Sequence, residues 1–231
     1  MDQKESSPDI ASSKTNINHV DNEDTILVTN EPIVDLHGEQ GVYTGSLSKS
    51  SRMPHGKGRM DYDIVKGQWY EGEWIHGHWS GYGRLSNGEG DLYEGQLQND
   101  NKHGKGVMRF ADGRIFEGEY RDGEMFQGKM TYQDGSFYEG SWVDGMRHGP
   151  CQCKFADGSE YQGEFRHGQM EGYGKMTWYD GSWYEGEWQD GVMHGRGKEI
   201  LADGSLRHDG EWIRGQEHIV GNRCSPSSFF S

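Results

Sequence analysis

"YEGEWQDGVMHGRGKE", Tyr184 to Glu199, is the stretch whose reading decides the fold. Its first five residues alternate large, acidic, glycine, acidic, large, so a strand places Tyr184, Gly186 and Trp188 on one face and Glu185 with Glu187 on the other. Asp190-Gly191 then reads as a tight turn, because both residues tolerate the positive φ that a primed hairpin turn demands. The segment from His194 onward alternates again, so the whole stretch is a β-hairpin.

The same unit recurs along most of the chain. Its leading residue is found at Tyr43, Tyr70, Tyr93, Phe116, Tyr138, Tyr161, Tyr184 and His208, with spacings of 27, 23, 23, 22, 23, 23 and 24 residues. The third residue is always glycine: Gly45, Gly72, Gly95, Gly118, Gly140, Gly163, Gly186 and Gly210. The fifth is Leu47, Trp74, Leu97, Tyr120, Trp142, Phe165, Trp188 and Trp212, so each glycine lies between two large side chains on one face, leaving room for a ring to cross the backbone. A second segment, Gly-x-Gly-x-Met-x-aromatic in most units, places Met60, Leu85, Met108, Met130, Cys153, Met176 and Glu199 at equivalent positions. Further Asp-Gly pairs, such as Asp112-Gly113 and Asp134-Gly135, separate the units. Fixed self-similarity at this period is the mark of a repeat architecture. The expected fold is therefore all-β: an antiparallel meander of seven hairpins and a partial eighth. Two length changes, a residue missing before Gly128 and an insertion around "SKSSRMP", are expected to fall in loops, where length costs little.

The pattern Tyr-Glu-Gly-Glu-Trp, then Gly-x-Gly, then Asp-Gly at 23 residues resembles the MORN repeat (membrane occupation and recognition nexus) over about residues 42–221. The resemblance implies an elongated, twisted, single-layer sheet of stacked hairpins. It also implies a non-catalytic scaffold or targeting module, needing no cofactor, of the kind that works in the cytoplasm at the cytoskeleton, cilium, cortex or membrane.

Composition narrows the classes of function. Of 231 residues only 31% are hydrophobic, thin for a compact core, yet 12% are aromatic, with eight Trp, twelve Tyr and 37 Gly, which an ordinary disordered chain lacks. The net charge is −15, of which residues 1–41 carry −7 (two Lys against nine Asp and Glu), so nucleic-acid binding by bulk electrostatics is disfavoured. Three cysteines, Cys151, Cys153 and Cys224, imply no disulfide framework and fit a reducing compartment. The N-terminus shows no apolar targeting segment, and the expected compartment is the cytoplasm. Residues 1–41 form an acidic, largely disordered tail apart from a possible strand at Thr25–Val28, residues 42–221 the array, and residues 222–231 a short tail whose Phe229 and Phe230 could dock on the last hairpin.

Several stretches imitate chemistry. Gly123 to Lys129 fits most of a P-loop, but Met130 replaces the Ser or Thr and the context is a hairpin rather than a strand running into a helix. The histidines before Gly-x-Gly or Gly-x-Cys (His55, His103, His148, His194) sit at equal offsets, so successive ones are at least two strands apart, about 9.6 Å. Zinc ligands sit ~2.0–2.3 Å from their ion, so these histidines cannot share one. Cys151 and Cys153 occupy the second glycine and the methionine positions, as small apolar substitutes. Glutamate pairs such as Glu71/Glu73 and Glu185/Glu187 recur in like surroundings, whereas paired catalytic carboxylates need unlike ones. No catalytic or metal-binding residue is expected.

That leaves the aromatic stripe. A single sheet with nothing over it is expected to leave part of this face exposed as an aromatic-glycine groove about 75 Å long, from eight hairpins at about 9.6 Å each. The expected function is a non-catalytic adaptor that takes a helical or extended segment of a protein partner on Tyr70, Trp74, Tyr93, Phe116, Tyr120, Tyr138, Trp142, Tyr161, Phe165, Tyr184 and Trp188. The alternative is a peripheral phospholipid-binding module, which needs loop cations such as Lys102, Lys105 and Arg109 to gather into a patch. Open edges also allow self-association.

Overall fold

A computed structural model describes residues 24–218. The acidic segment 1–23 and residues 219–231, which include Cys224, Phe229 and Phe230, lie outside the described residues. The described chain forms seventeen strands: β1 (Thr25–Val34), β2 (Gln40–Ser48), β3 (Pro54–Asp63), β4 (Gln68–Ile75), β5 (His78–Asn87), β6 (Leu92–Gln98), β7 (Asn101–Arg109), β8 (Ile115–Arg121), β9 (Glu124–Thr131), β10 (Phe137–Val143), β11 (Met146–Lys154), β12 (Glu160–Arg166), β13 (Gln169–Thr177), β14 (Trp183–Gln189), β15 (Val192–Ile200), β16 (Leu206–Ile213) and β17 (Gln216–His218). Each pairs antiparallel with its neighbours in the chain, giving one open sheet. The expected hairpins are all present, the eighth described as far as Gln216–His218 of β17.

The sheet begins earlier than residue 42. Thr25–Val28 is a strand, and it continues to Val34, because residues 25–34 pair along the whole of β2. As the edge, β1 carries a bulge between Val28 and Glu31 and a proline at position 32, two features that discourage another strand from adding to it.

Two kinds of turn alternate. Within hairpins, Asp122-Gly123, Asp144-Gly145 and Asp190-Gly191 have positive φ at both residues, as a primed turn requires. Between units only the glycine does, as at Gly113, Gly135 and Gly181. There the aspartate side chain instead accepts the N–H two residues on, Asp134 from Ser136 at 2.9 Å and Asp180 from Ser182 at 2.9 Å. The sequence-based expectation of a primed turn thus holds inside the units and fails between them, where a type I turn closed by a left-handed glycine connects the strands.

Most hairpins carry a bulge after the third residue of the unit, for example between Gly72 and Glu73, Gly140 and Ser141, and Gly186 and Glu187. The return strand has two extra residues there, the first of them a left-handed glycine, Gly81, Gly149 or Gly195. In the unit that starts at Phe116 the Asp122-Gly123 turn is intact and this glycine is the residue that is missing. The deletion therefore falls inside β9 and not in the loop, and the register shift moves to between Glu119 and Tyr120.

Candidate binding surface

The aromatic stripe is not an open groove. The leading residues Tyr70, Tyr93, Phe116, Tyr138, Tyr161 and Tyr184 are 0–1% exposed, and Trp74, Tyr120, Trp142, Phe165 and Trp188 are 1–7% exposed. These eleven side chains, expected to meet a partner, form the core.

A single layer hides its aromatics by laying them flat. The Tyr184 ring crosses Gly186 on its own strand and Gly197 on the next, and a Cβ added at Gly186 would lie 2.6 Å from its Oη. Gly72, Gly95, Gly140 and Gly163 lie under their leading tyrosines, and Gly118 under Phe116, in the same way. The fifth residue then covers the ring edge-on from its own unit and from the next. Tyr184 meets Trp188 at 5.2 Å and Trp212 at 5.3 Å, and Tyr138 meets Trp142 at 5.0 Å and Phe165 at 5.6 Å. Each such ring is thus half of two T-shaped pairs, each contributing about 0.5–1.5 kcal/mol beyond its buried area. Where Leu97 breaks the ladder, Trp79 supplies a ring instead, stacked on Tyr70 at 4.7 Å. Indole N–H groups of Trp74, Trp188 and Trp212 donate to the carbonyls of Gly58, Gly174 and Gly197. Because this face closes on itself, no layer is needed to cover it.

The opposite face holds a trough of about 1460 Å³ that runs from β5 to β14. It is lined by Glu94, Glu117, Glu119, Glu139, Glu164 and Glu185 against two cations, Lys105 and Lys175. Tyr82 and Tyr173, 52% and 60% exposed, stand at its two ends, their hydroxyls donating to Glu94 (2.9 Å) and Glu185 (3.4 Å). These carboxylates raise both phenols' pKa, after a larger contribution from desolvation. Strands β5 and β13 are eight steps apart, so about 38 Å separates the tyrosines along the sheet. Neither tyrosine stands out from the repeat pattern alone, although the triplets Gly81-Tyr82-Gly83 and Gly172-Tyr173-Gly174 mark them: a large side chain where the unit elsewhere has Lys105 or Pro150.

The motifs that imitate chemistry have structural explanations. Gly123 to Met130 is a turn running into β9, with no helix after it. Cys151 pairs with Gly140 and Cys153 with Tyr138, as substitutes for glycine and methionine should, with their sulfurs 3.7 Å apart. The hydrogen bond with Cys151, and then burial, push the Cys153 thiol up. His55 packs on His76 at 4.9 Å and His148 on His167 at 6.0 Å, ring against ring between units. Lys102 lies over the Tyr93 and Tyr120 rings, whereas Lys105 lines the trough, so the loop cations do not share one face.

Fold and surface define a class: an open array of β-hairpin repeats with a self-covered aromatic core and an acidic, tyrosine-ended trough. The family model described as MORN repeat matches residues 70–91, 93–113, 116–137, 138–160, 161–183 and 184–206, more than half of the chain, and the protein belongs to that family. No curated protein matches it. Among solved structures, the TCP domain of Drosophila melanogaster SAS-4 (dCPAP), in complex with a proline-rich motif of Ana2 (dSTIL), is similar with a TM-score of 0.38 at 10% identity, over 78% of this chain and 90% of that one. The TCP10 domain of Danio rerio CPAP, in complex with a peptide of Danio rerio STIL, is similar with a TM-score of 0.29 at 14% identity, over 79% of this chain and 99% of that one. Among the described residues no helix is long and apolar enough to cross a membrane.

Proposed function

We propose that the protein is a non-catalytic adaptor, and that it holds an extended, basic segment of a partner protein in the trough on the face opposite the aromatic ladder. The observation that carries this reading is the lining itself: six carboxylates to two lysines, with an exposed tyrosine at each end. At ~3.3–3.4 Å per residue, the ~38 Å between the tyrosines takes about eleven residues of extended chain. Binding rests on charge complementarity along the floor, with the two amphipathic rings as anchors that lose little rotamer freedom. Catalysis is not part of the reading, because the trough glutamates share one solvated environment, whereas paired catalytic carboxylates need unlike ones.

The test is direct binding of a labelled twelve-residue Lys/Arg-rich peptide, with an acidic peptide of equal length as control, measured by fluorescence anisotropy at low and high salt. The basic peptide is expected to bind, to weaken with salt, and to lose at least tenfold in affinity to the variant Glu117→Lys/Glu139→Lys. Equal binding of the acidic peptide, or indifference to that charge reversal, overturns the assignment. The phospholipid alternative has to overcome the net charge of −15 and the separation of Lys102 from Lys105. Anionic vesicles added as competitor in the same assay distinguish it.

A further inference from the structure

Asp100 stands where the repeat otherwise places glycine. The seventh residue after the leading one is Gly77, Gly123, Gly145, Gly168, Gly191 and Gly215 in six other units, with φ between 72° and 93°. In the unit that starts at Tyr93 it is Asp100, with φ 65°. That is the left-handed region, which aspartate adopts more readily than most residues with a Cβ but less readily than glycine. The hairpin does not need the side chain, since six units turn with glycine there, which leaves the carboxylate open to another use.

The side chain faces two histidines. Asp100 Oδ1 accepts the backbone N–H of Trp79 at 2.6 Å, which fixes the carboxylate. Its Oδ2 lies 2.5 Å from His78 Nδ1 and 3.2 Å from His37 Nε2. His78 opens β5, and His37 comes from the β1–β2 loop, outside the array's period. That loop is itself held in shape: the largely buried Asp35 carboxylate accepts the N–H groups of His37 at 2.8 Å and Glu39 at 2.9 Å. The β4–β5 and β6–β7 turns lie at one end of the strands, and the β1–β2 loop, which opens at the other end, reaches them, its Leu36 side chain 3.0 Å from where a Cβ at Gly77 would stand. Three separate segments therefore converge on one point, with the Asp100 side chain only 19% exposed.

We propose that His37 Nε2, His78 Nδ1 and Asp100 Oδ2 form a binding site for a divalent transition-metal ion of the zinc type. Two imidazoles and one carboxylate are a borderline-soft donor set, suited to zinc rather than to calcium or magnesium, which take oxygen ligands. The three donor atoms all lie within 4.8 Å of one another. Bonds of ~2.0 Å at tetrahedral angles set donors about 3.3 Å apart. The His37–Asp100 separation of 3.2 Å already fits, and the shorter His78–Asp100 contact opens as the ion takes the place of its shared proton. That proton leaves to solvent or moves to His78 Nε2, so binding favours neutral imidazoles. Water completes the coordination. The ion ties the β1–β2 loop to the array and so clamps the first hairpin onto the repeats.

Titration of the full chain with zinc ion, followed by calorimetry and by thermal unfolding after removal of trace metal, tests the site. Wild type is expected to bind with a saturable step and to gain in Tm. Asp100→Gly restores the residue that the other units carry, so it keeps the fold, and it is expected to weaken that step at least tenfold and to abolish the gain in Tm. His37→Ala, in an exposed loop, is expected to do the same. Absence of a saturable step in wild type overturns the proposal, as does unchanged affinity in both variants, which would place the ion on other histidines.

Discussion

Tyr184 Oη donates a hydrogen bond to the carbonyl oxygen of Glu187, 2.9 Å away and three residues along the same strand. The carbonyl is free because the bulge after Gly186 takes it out of the ladder. Tyr70, Tyr93, Tyr138 and Tyr161 repeat the bond with Glu73, Gln96, Ser141 and Glu164. The one unit that has lost its bulge glycine also leads with Phe116, which has no polar atom to offer, whereas His208 in the last unit sets its Nε2 3.1 Å from Glu211 O in place of a hydroxyl. Ring and bulge are therefore one device. Removing the hydroxyl in Tyr184→Phe leaves a buried carbonyl unpaired and is expected to cost about 1–2 kcal/mol. The reverse change, Phe116→Tyr, adds a buried hydroxyl beside Gly118 and Gly128 where Glu119 still pairs with Gln127, because the register shift comes one residue later, and is expected to destabilise by about 1–3 kcal/mol rather than to help. Urea unfolding midpoints of the two variants check both signs.

Glycines in this chain do two different jobs, and alanine separates them. At Gly186 a Cβ would meet the Arg196 carbonyl oxygen and the Tyr184 hydroxyl, each at 2.6 Å, so Gly186→Ala must lift the ring or part the strands. At Gly181 nothing lies within 4 Å, and only the φ of +87° resists a side chain. Gly181→Ala is expected to cost about 1–2 kcal/mol. Gly186→Ala is expected to cost more than that and to expose tyrosine, read out by near-ultraviolet circular dichroism.

Almost all of the fold was legible in the sequence, because period, parity and turn chemistry agreed from Tyr70 to Trp188. The surface was not. Parity puts Tyr184, Gly186 and Trp188 on one face but does not say that the ring lies flat over two glycines from paired strands, since the second, Gly197, is supplied by register. Without that contact the stripe reads as open, and the glutamate face reads only as a solvated edge. Asp100 is visible in the sequence as a break in the glycine column, but His37 lies outside the period and only the β1–β2 hairpin brings it there.

The ladder tryptophans are structural, so their loss is expected to act on stability before it acts on any partner. Trp142→Ala and Trp188→Ala each open a cavity beside a ring and are expected to cost about 3–5 kcal/mol. Phenylalanine separates packing from hydrogen bonding. Trp188 Nε1 donates to Gly174 O at 3.1 Å, whereas Trp142 Nε1 is buried with no partner, beside the unit that lost its bulge glycine. Trp188→Phe is therefore expected to cost about 1 kcal/mol more than Trp142→Phe, measured by chemical denaturation of the two variants side by side.

Alkali should unfold the array through its core tyrosines. Burial is the first cause that holds Tyr43, Tyr70, Tyr93, Tyr120, Tyr138 and Tyr161 well above the usual phenol range, and it pushes Tyr184 up to about 12. An unfolded tyrosine ionises near pH ~10. A folded-state pKa above the unfolded one means that the contribution to stability is complete below pH ~10 and is lost as pH rises through the folded value. Stability is expected to be level through neutral and mildly alkaline solution, then to fall from pH ~10 upward, steeply because seven core phenols act in the same direction. Tyr82 and Tyr173, on the trough and exposed, are expected to ionise before that collapse, so tyrosinate absorbance should rise in two stages, with loss of the β-sheet signal confined to the second. Loss of sheet below pH ~10, or one stage of ionisation with all tyrosines together, would show that the rings are not closed in as the ladder requires.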